Sequence, residues 1–164
     1  MDRFDPSPLI KGSEKITGTF GYWPPFHDAE ILEVRMTVAD GEPWVPGSES
    51  QVMEMKMHLF EMTKDVTPDG FLVLTNHTLA HLRFANVENL ELSGFWHQNC
   101  IFDLEFGTVA VSYPRNHPSG KPASLLTVRI HASVGLTGGF HCRLAEVVSA
   151  EPCDERGLPK ASAA

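Results

Sequence analysis

The apolar residues of this chain recur with a period of two. Leu32, Val34, Met36 and Val38 alternate with Glu33, Arg35 and Thr37, and Met53, Met55, Met57 and Leu59 alternate with Glu54, Lys56 and His58. A strand places each set on its own face. The Gly- and Pro-bearing segment 40–48 between them predicts a long hairpin loop, which makes the two strands antiparallel neighbours. Beyond a turn at Pro68-Asp69-Gly70, the alternation of Thr78, Ala80, Leu82 and Phe84 predicts another strand. Leu90 and Leu92 predict a short one ending at Gly94, joined to its predecessor by a turn at 86–89. Val109, Val111 and Tyr113, then Leu126, Val128, Ile130 and Ala132, flank a loop at 115–120, and Phe140, Cys142 and Leu144 follow a glycine-punctuated run.

Segment 97–106 carries two overlapping patterns. Cys100, Phe102, Leu104 and Phe106 alternate as a strand does, while Ile101 and Leu104 at i, i+3 behind Gln98 and Asn99 suit a short helix. The reading is a short helix or turn followed by a strand. Hairpins in succession give an α+β, mostly β fold: an antiparallel β-sheet meander with one or two short helices. A single globular β-rich domain is expected over 1–150. Residues 151–164, rich in Pro, Gly, Ala and charge, are expected to fray into a disordered tail.

One stretch breaks the alternation. From Phe20 through Tyr22, Trp23, Pro24, Pro25, Phe26, His27 and Asp28 to Glu30, large aromatics crowd against two prolines and a His-Asp pair. The prolines fix φ and remove two donors, which predicts a rigid turn or single helical turn delivering Phe26 to the core. His27, Asp28 and Glu30 are left as surface chemistry.

Composition narrows the function classes. The 164 residues, 42% hydrophobic, suffice for one domain with a real core. A formal charge of −8, from 13 Lys+Arg against 21 Asp+Glu, disfavours binding by neutralising nucleic-acid phosphates. Cys100, Cys142 and Cys153 sit at no metal-ligand spacing, and their odd number argues against a disulfide framework, so reduced thiols and a cytoplasmic location are expected. The start of the chain lacks signal-peptide character, and no run approaches the roughly 20 apolar residues that span a bilayer. No membrane association is expected.

Catalytic patterns are weak. His27-Asp28 is the pair found in metal-binding helical phosphohydrolases, but that chemistry draws further ligands from surrounding helices, and a hydrogen-bonded turn is the preferred reading. His77 and His81 share a strand face with Cα atoms roughly 13 Å apart, too far to chelate one ion easily. His97 with Cys100 and His141 with Cys142 are weaker still. There is no nucleophile elbow and no phosphate loop. Asp103 and Glu105 read as a solvated sheet face, and the methionines at 53, 55, 57 and 62 as core or an adaptable groove. No catalytic residue, metal or cofactor is assigned. Leu90 to Asn99 sets Trp96, His97, Gln98 and Asn99 beyond a strand end, a mixture that suits protein contact and equally suits a buried Trp96 with Gln98 and Asn99 satisfying loop backbone.

The aromatic-Pro-His-Asp block, together with His77-Thr78-Leu79 to Phe84, Leu90-Glu91-Leu92 to Gln98-Asn99, and Gly135 to Cys142, resembles the immunity protein 50 family from about Thr19 to Glu151. The resemblance implies a non-enzymatic role: neutralising a toxin of a bacterial polymorphic toxin system, with the cognate toxin domain as protein partner. An acidic domain would be steered to a basic toxin and occlude its active surface. Trp23, His27, Asp28 and Glu30 are the candidate for one contact patch, and Trp96, His97, Gln98 and Asn99 for another. Two rivals stand beside this reading. One is a metal-dependent hydrolase around His27 and Asp28. The other is a β-rich ligand-binding or oligomerising module using the Met53–Met57 face or its edge strands.

Overall fold

The computed structural model describes residues 3–118 and 121–161. A 3-10 turn (Ser7–Leu9) and one α-helix, α1 (Glu14–Phe20), precede eight strands: β1 (Glu30–Val38), β2 (Gln51–Val66), β3 (Leu72–Ala85), β4 (Glu88–Ser93), β5 (Cys100–Val111), β6 (Ala123–Val134), β7 (Thr137–Cys142) and β8 (Leu144–Pro152). The fold is α+β, mostly β, and all strand pairings are antiparallel. Period two does not reveal α1. Ile16 and Phe20, four apart, are both buried, and Gly21 ends the helix at φ +82° with its N–H on the Thr17 carbonyl. So short a helix owes its stability to that packed face.

The sheet order is β4-β7-β6-β5-β1-β2-β3-β8. The expected meander holds in two runs, β1-β2-β3 and β5-β6-β7, but β4 and β8 depart from it. The turn at Asn86 exists, yet it makes no hairpin: β4 leaves β3 and pairs with β7 instead. Asn86 is buried at φ +55°; its Oδ1 accepts the Ser50 N–H and its Nδ2 donates to the Ser48 carbonyl, which ties the end of β3 to the β1–β2 loop. Arg143 by itself separates β7, second in the order, from β8, its last. Connections this short fold the two halves, β4-β7-β6-β5 and β1-β2-β3-β8, across one core. Phe84 of β3 meets Phe140 of β7 there at 5.0 Å between ring centroids.

Met53, Met55, Met57 and Leu59 lie in this core opposite Val34, Met36 and their neighbours, so these three methionines are packing, while Met62 is 49% exposed beyond them. Segment 97–106 contains no helix. A bend leads directly into β5, and register shifts around Ile101 explain the mixed pattern: Ile101, Leu104 and Phe106 are buried while Phe102 is expelled. A similar irregularity between Ile31 and Glu33 buries Ile31 and leaves Leu32 outside. Ser119 and Gly120, in the loop between β5 and β6, lie outside the described residues.

The tail expected to fray from 151 is held through its described part. Glu151 and Pro152 finish β8, Cys153 is buried and bridges to Pro159, and the Asp154 carboxylate accepts the N–H groups of Arg156 and Leu158. Those backbone bonds, Leu158 first, keep the Asp154 carboxyl below its ordinary range. Gly157 sits where a Cβ would come within 3.0 Å of His58. Residues 162–164 lie outside the described residues.

Beneath this tail His58 is 5% exposed, its Nε2 2.9 Å from His77 Nδ1. Burial, then the neighbouring His77, holds its pKa below the ordinary value, with Asp154 acting the other way. The folded protein therefore takes up this proton less readily than the unfolded chain. Its contribution to stability is complete above the unfolded pKa of about 6.5 and falls as the pH drops through the window below it. Urea midpoints are expected to decline from about pH 7.5 to about 5.5, and less steeply in His58→Gln. Parallel profiles would remove His58 as the cause.

Candidate functional site

The two blocks singled out in the sequence meet at the junction between the half-sheets. β1 and β5 pair at a single position, Glu30 with Cys100. Around it the Asp28 N–H donates to the Ile101 carbonyl (2.9 Å), Ile101 N–H to Ala29 (2.8 Å) and Ile31 N–H to Asn99 (2.9 Å). Residues 28–31 and 99–101 thus form one clasp. Phe26 and Asp28 adopt φ of +60° and +64°, a region Asp tolerates but a bulky residue such as Phe seldom enters. Burial of the Phe26 ring and the clasp bonds offset a cost of about 1–3 kcal/mol at Phe26. The two prolines thus deliver Phe26 inward through an irregular turn without a helical one.

Above the clasp lies an exposed aromatic and polar surface. The His27 ring stands 5.3 Å from that of Phe102, and His27 Nδ1 lies 2.9 Å from the Asp28 carboxylate. Trp96 is 63% exposed, with His97 5.4 Å away, and Phe95 and Phe102 are exposed too. Gln98 Nε2 donates to Cys100 Sγ at 3.4 Å. Burial raises the Cys100 thiol pKa, which favours the protonated form. A shallow hollow of about 230 Å³, walled by Tyr22, Pro25, His27, Phe60 and Met62, adjoins the patch.

Two of the eight candidate residues face inward. Trp23 packs edge-on against Phe106 at 5.7 Å and tilted against Phe26 at 5.4 Å. Asn99 is 4% exposed and organises the loop: Oδ1 accepts the N–H groups of Trp96 (2.9 Å) and Leu136 (3.1 Å), while Nδ2 donates to the carbonyls of Trp96 (2.8 Å) and Ile31 (3.4 Å). Gly135 seats the same loop at φ +85°, where a Cβ would lie 2.4 Å from the Gln98 carbonyl oxygen. His27, Asp28, Glu30, Trp96, His97 and Gln98 remain partly or fully accessible. Phe102 and Phe95 belong to this surface as well. Competing periodicities at 100–106 were the available sign of Phe102's expulsion.

The other titratable candidates are distributed elsewhere. His81 pairs with Glu54 at 3.0 Å and His77 with His58, so 77 and 81 serve different neighbours. Asp103 meets Arg3, and Glu105 lies 3.0 Å from His131, on a solvated face. Among the described residues no three His, Cys, Asp or Glu side chains converge as a metal site. Cys100, Cys142 and Cys153 are free, and burial pushes the Cys142 thiol up to about 12. No helix among the described residues is long and apolar enough to cross a membrane.

A family model described as Immunity protein 50 matches residues 12–153. No curated protein and no solved structure matches the chain.

Proposed function

The chain belongs to the immunity protein 50 family, and on that premise we propose that it binds a cognate bacterial toxin in the cytoplasm and neutralises it by occluding the toxin's active surface. The observation that carries this reading is the clasp surface. Trp96 and Phe102, 63% and 59% exposed, flank the clasp, with the Trp96 backbone held at both its N–H and its carbonyl by the Asn99 side chain and Phe102 following Ile101 of the clasp, beside His27, Asp28, His97 and Gln98. Rigid aromatics flanked by hydrogen-bonding groups lose little entropy on docking and form the centre of tight interfaces. The inhibitor works by binding, with no catalytic step of its own. The −8 charge favours a basic toxin surface and speeds encounter.

The test begins with affinity capture of the tagged chain from its native bacterium. The expected catch is a toxin domain whose lethality on expression this chain suppresses. Against that domain, Trp96→Ala is expected to weaken binding by about 2 kcal/mol, roughly thirtyfold, with the fold intact. Added salt is expected to slow association. Unchanged affinity in both Trp96→Ala and a His27→Ala/Phe102→Ala pair would move the interface off this face.

A further inference from the structure

β2 and β3 run past their neighbours. Pairing of β1 with β2 begins only at His58, and β8 leaves β3 at Thr78, so among the described residues 61–76 form a two-stranded arm with no strand on either side. None of them is buried. The arm is nevertheless ordered by bonds of its own. At its tip the Thr67 N–H donates to the Phe71 carbonyl (2.7 Å) and the Gly70 N–H to that of Thr67 (2.9 Å). The Thr63 hydroxyl donates to the Val73 carbonyl (2.8 Å), and Asn76 Nδ2 donates to the Glu61 carboxylate. Its two faces differ. Met62 lies opposite Leu74 and Val66 opposite Leu72, so with Phe71 beside them at the tip these side chains make one apolar stripe. All five are exposed, Phe71 to 72%. The other face carries Glu61, Val73 and Thr75.

A contiguous apolar stripe on a projecting arm marks a contact surface, and three observations bear on the partner. The stripe is continuous with the clasp surface, because Met62 at its base walls the same hollow as Tyr22 and His27. The arm is acidic, with Glu61, Asp65 and Asp69 against Lys64, in a chain whose net charge is −8. A basic surface is therefore drawn to it, and a second copy is repelled. Its strand edges are also blunted. Register shifts between Leu59 and Glu61 and between Met62 and Val66 break the ladder, Asn76 adopts φ +53°, and Lys64 and Asp65 stand exposed on β2. Such bulges and charges deter strand addition by another copy, while the side-chain stripe stays open. We propose that the arm is a second docking element for the toxin domain, its stripe entering an apolar cleft in a basic surface while the clasp surface meets the same partner. This rests on the toxin-binding reading above and adds that the arm, and not the clasp alone, engages the toxin. Because the arm is held by its own bonds, little order is lost on docking.

Three baits test this: wild type, Leu72→Ser/Leu74→Ser on the stripe, and Val73→Ser/Thr75→Ser on the opposite face. All three should share one circular dichroism spectrum and one urea midpoint, since no residue of the arm is buried. Against the lethal domain that wild type captures from its native bacterium, the stripe pair should bind roughly a hundredfold more weakly, and the opposite pair within about threefold of wild type. Suppression of lethality should fall in the stripe pair alone. A stripe pair that binds as wild type does, or an opposite pair that weakens as much, would overturn the arm's role and leave toxin binding standing. Capture of no lethal domain by wild type would overturn toxin binding itself, and the arm's role with it. Light scattering that gives wild type the mass of two chains and the stripe pair the mass of one would assign the stripe to a second copy and overturn the proposal as well.

Discussion

Asn99→Ala is expected to lower the unfolding free energy by about 3 kcal/mol, one of the largest single losses available in this protein. The side chain makes four hydrogen bonds in a site 4% exposed. Truncation leaves the N–H groups of Trp96 and Leu136 without their acceptor, and an unsatisfied buried donor costs about 1–3 kcal/mol. Gly135 packs closely against Asn99, where a Cβ would lie 2.5 Å from its Oδ1. Asn99→Asp separates the two halves of the role. It keeps the acceptor but turns a carboxylate toward the carbonyls of Trp96 and Ile31. At neutral pH it is expected to be as damaging as alanine, with partial recovery on acidification as the carboxyl regains a proton. Urea denaturation of the three proteins at two pH values checks this. An alanine variant within about 0.5 kcal/mol of wild type would show that the loop holds itself together without Asn99.

Phe84→Ala is the second large loss, about 3–5 kcal/mol. Phe84 is 2% exposed and meets Phe140 edge-to-face at 5.0 Å and 72°. These rings come from β3 and β7, strands of different halves, so the deletion removes transfer free energy and opens a cavity where the halves meet. A double-mutant cycle with Phe140→Ala is expected to return a coupling of about 0.5–1.5 kcal/mol. Additive losses would mean that the rings are neighbours without being partners. A single cooperative transition in wild type, common to near- and far-ultraviolet signals, is the accompanying expectation for halves that share one core.

How far the sequence could be read depended on how regular each segment was. Where alternation ran unbroken, as at Met53 to Leu59 and Thr78 to Phe84, the core-facing set followed directly, because period two leaves a strand one choice of inward side, although His58 on the other face is buried beneath the C-terminal segment. Irregularity was where reading failed. Displaced residues in β1 and β5 exchange Ile31 for Leu32 and Ile101 for Phe102 as the buried residue, and two mixed signals at 100–106 mimic a helix. At the candidate site, His27, Trp96 and their neighbours stood out by composition. Their convergence did not, since residues 28–31 and 99–101 are about seventy positions apart along the chain. Nor could the sequence tell that Trp23 and Asn99 support the patch from beneath: an Asn at a strand start reads the same whether its amide faces water or four backbone groups.

By itself, then, the sequence determined an acidic, mostly antiparallel β protein of the immunity protein 50 family, because hydrophobic period, turn residues, net charge and motif blocks are local quantities. The tertiary structure decided which strands become neighbours. Two connections of one or two residues, at Asn86-Val87 and Arg143, bring opposite ends of the sheet together, and the single β1–β5 pair at Glu30 and Cys100 lets the halves diverge. Val34, Met36 and Val38 carry the same alternation as Met53, Met55 and Met57, yet Met36 and Val38 stay in solvent while the three methionines are sealed. Periodicity fixes the direction in which a side chain points; whether anything lies there to cover it depends on the placement of strands distant in the chain.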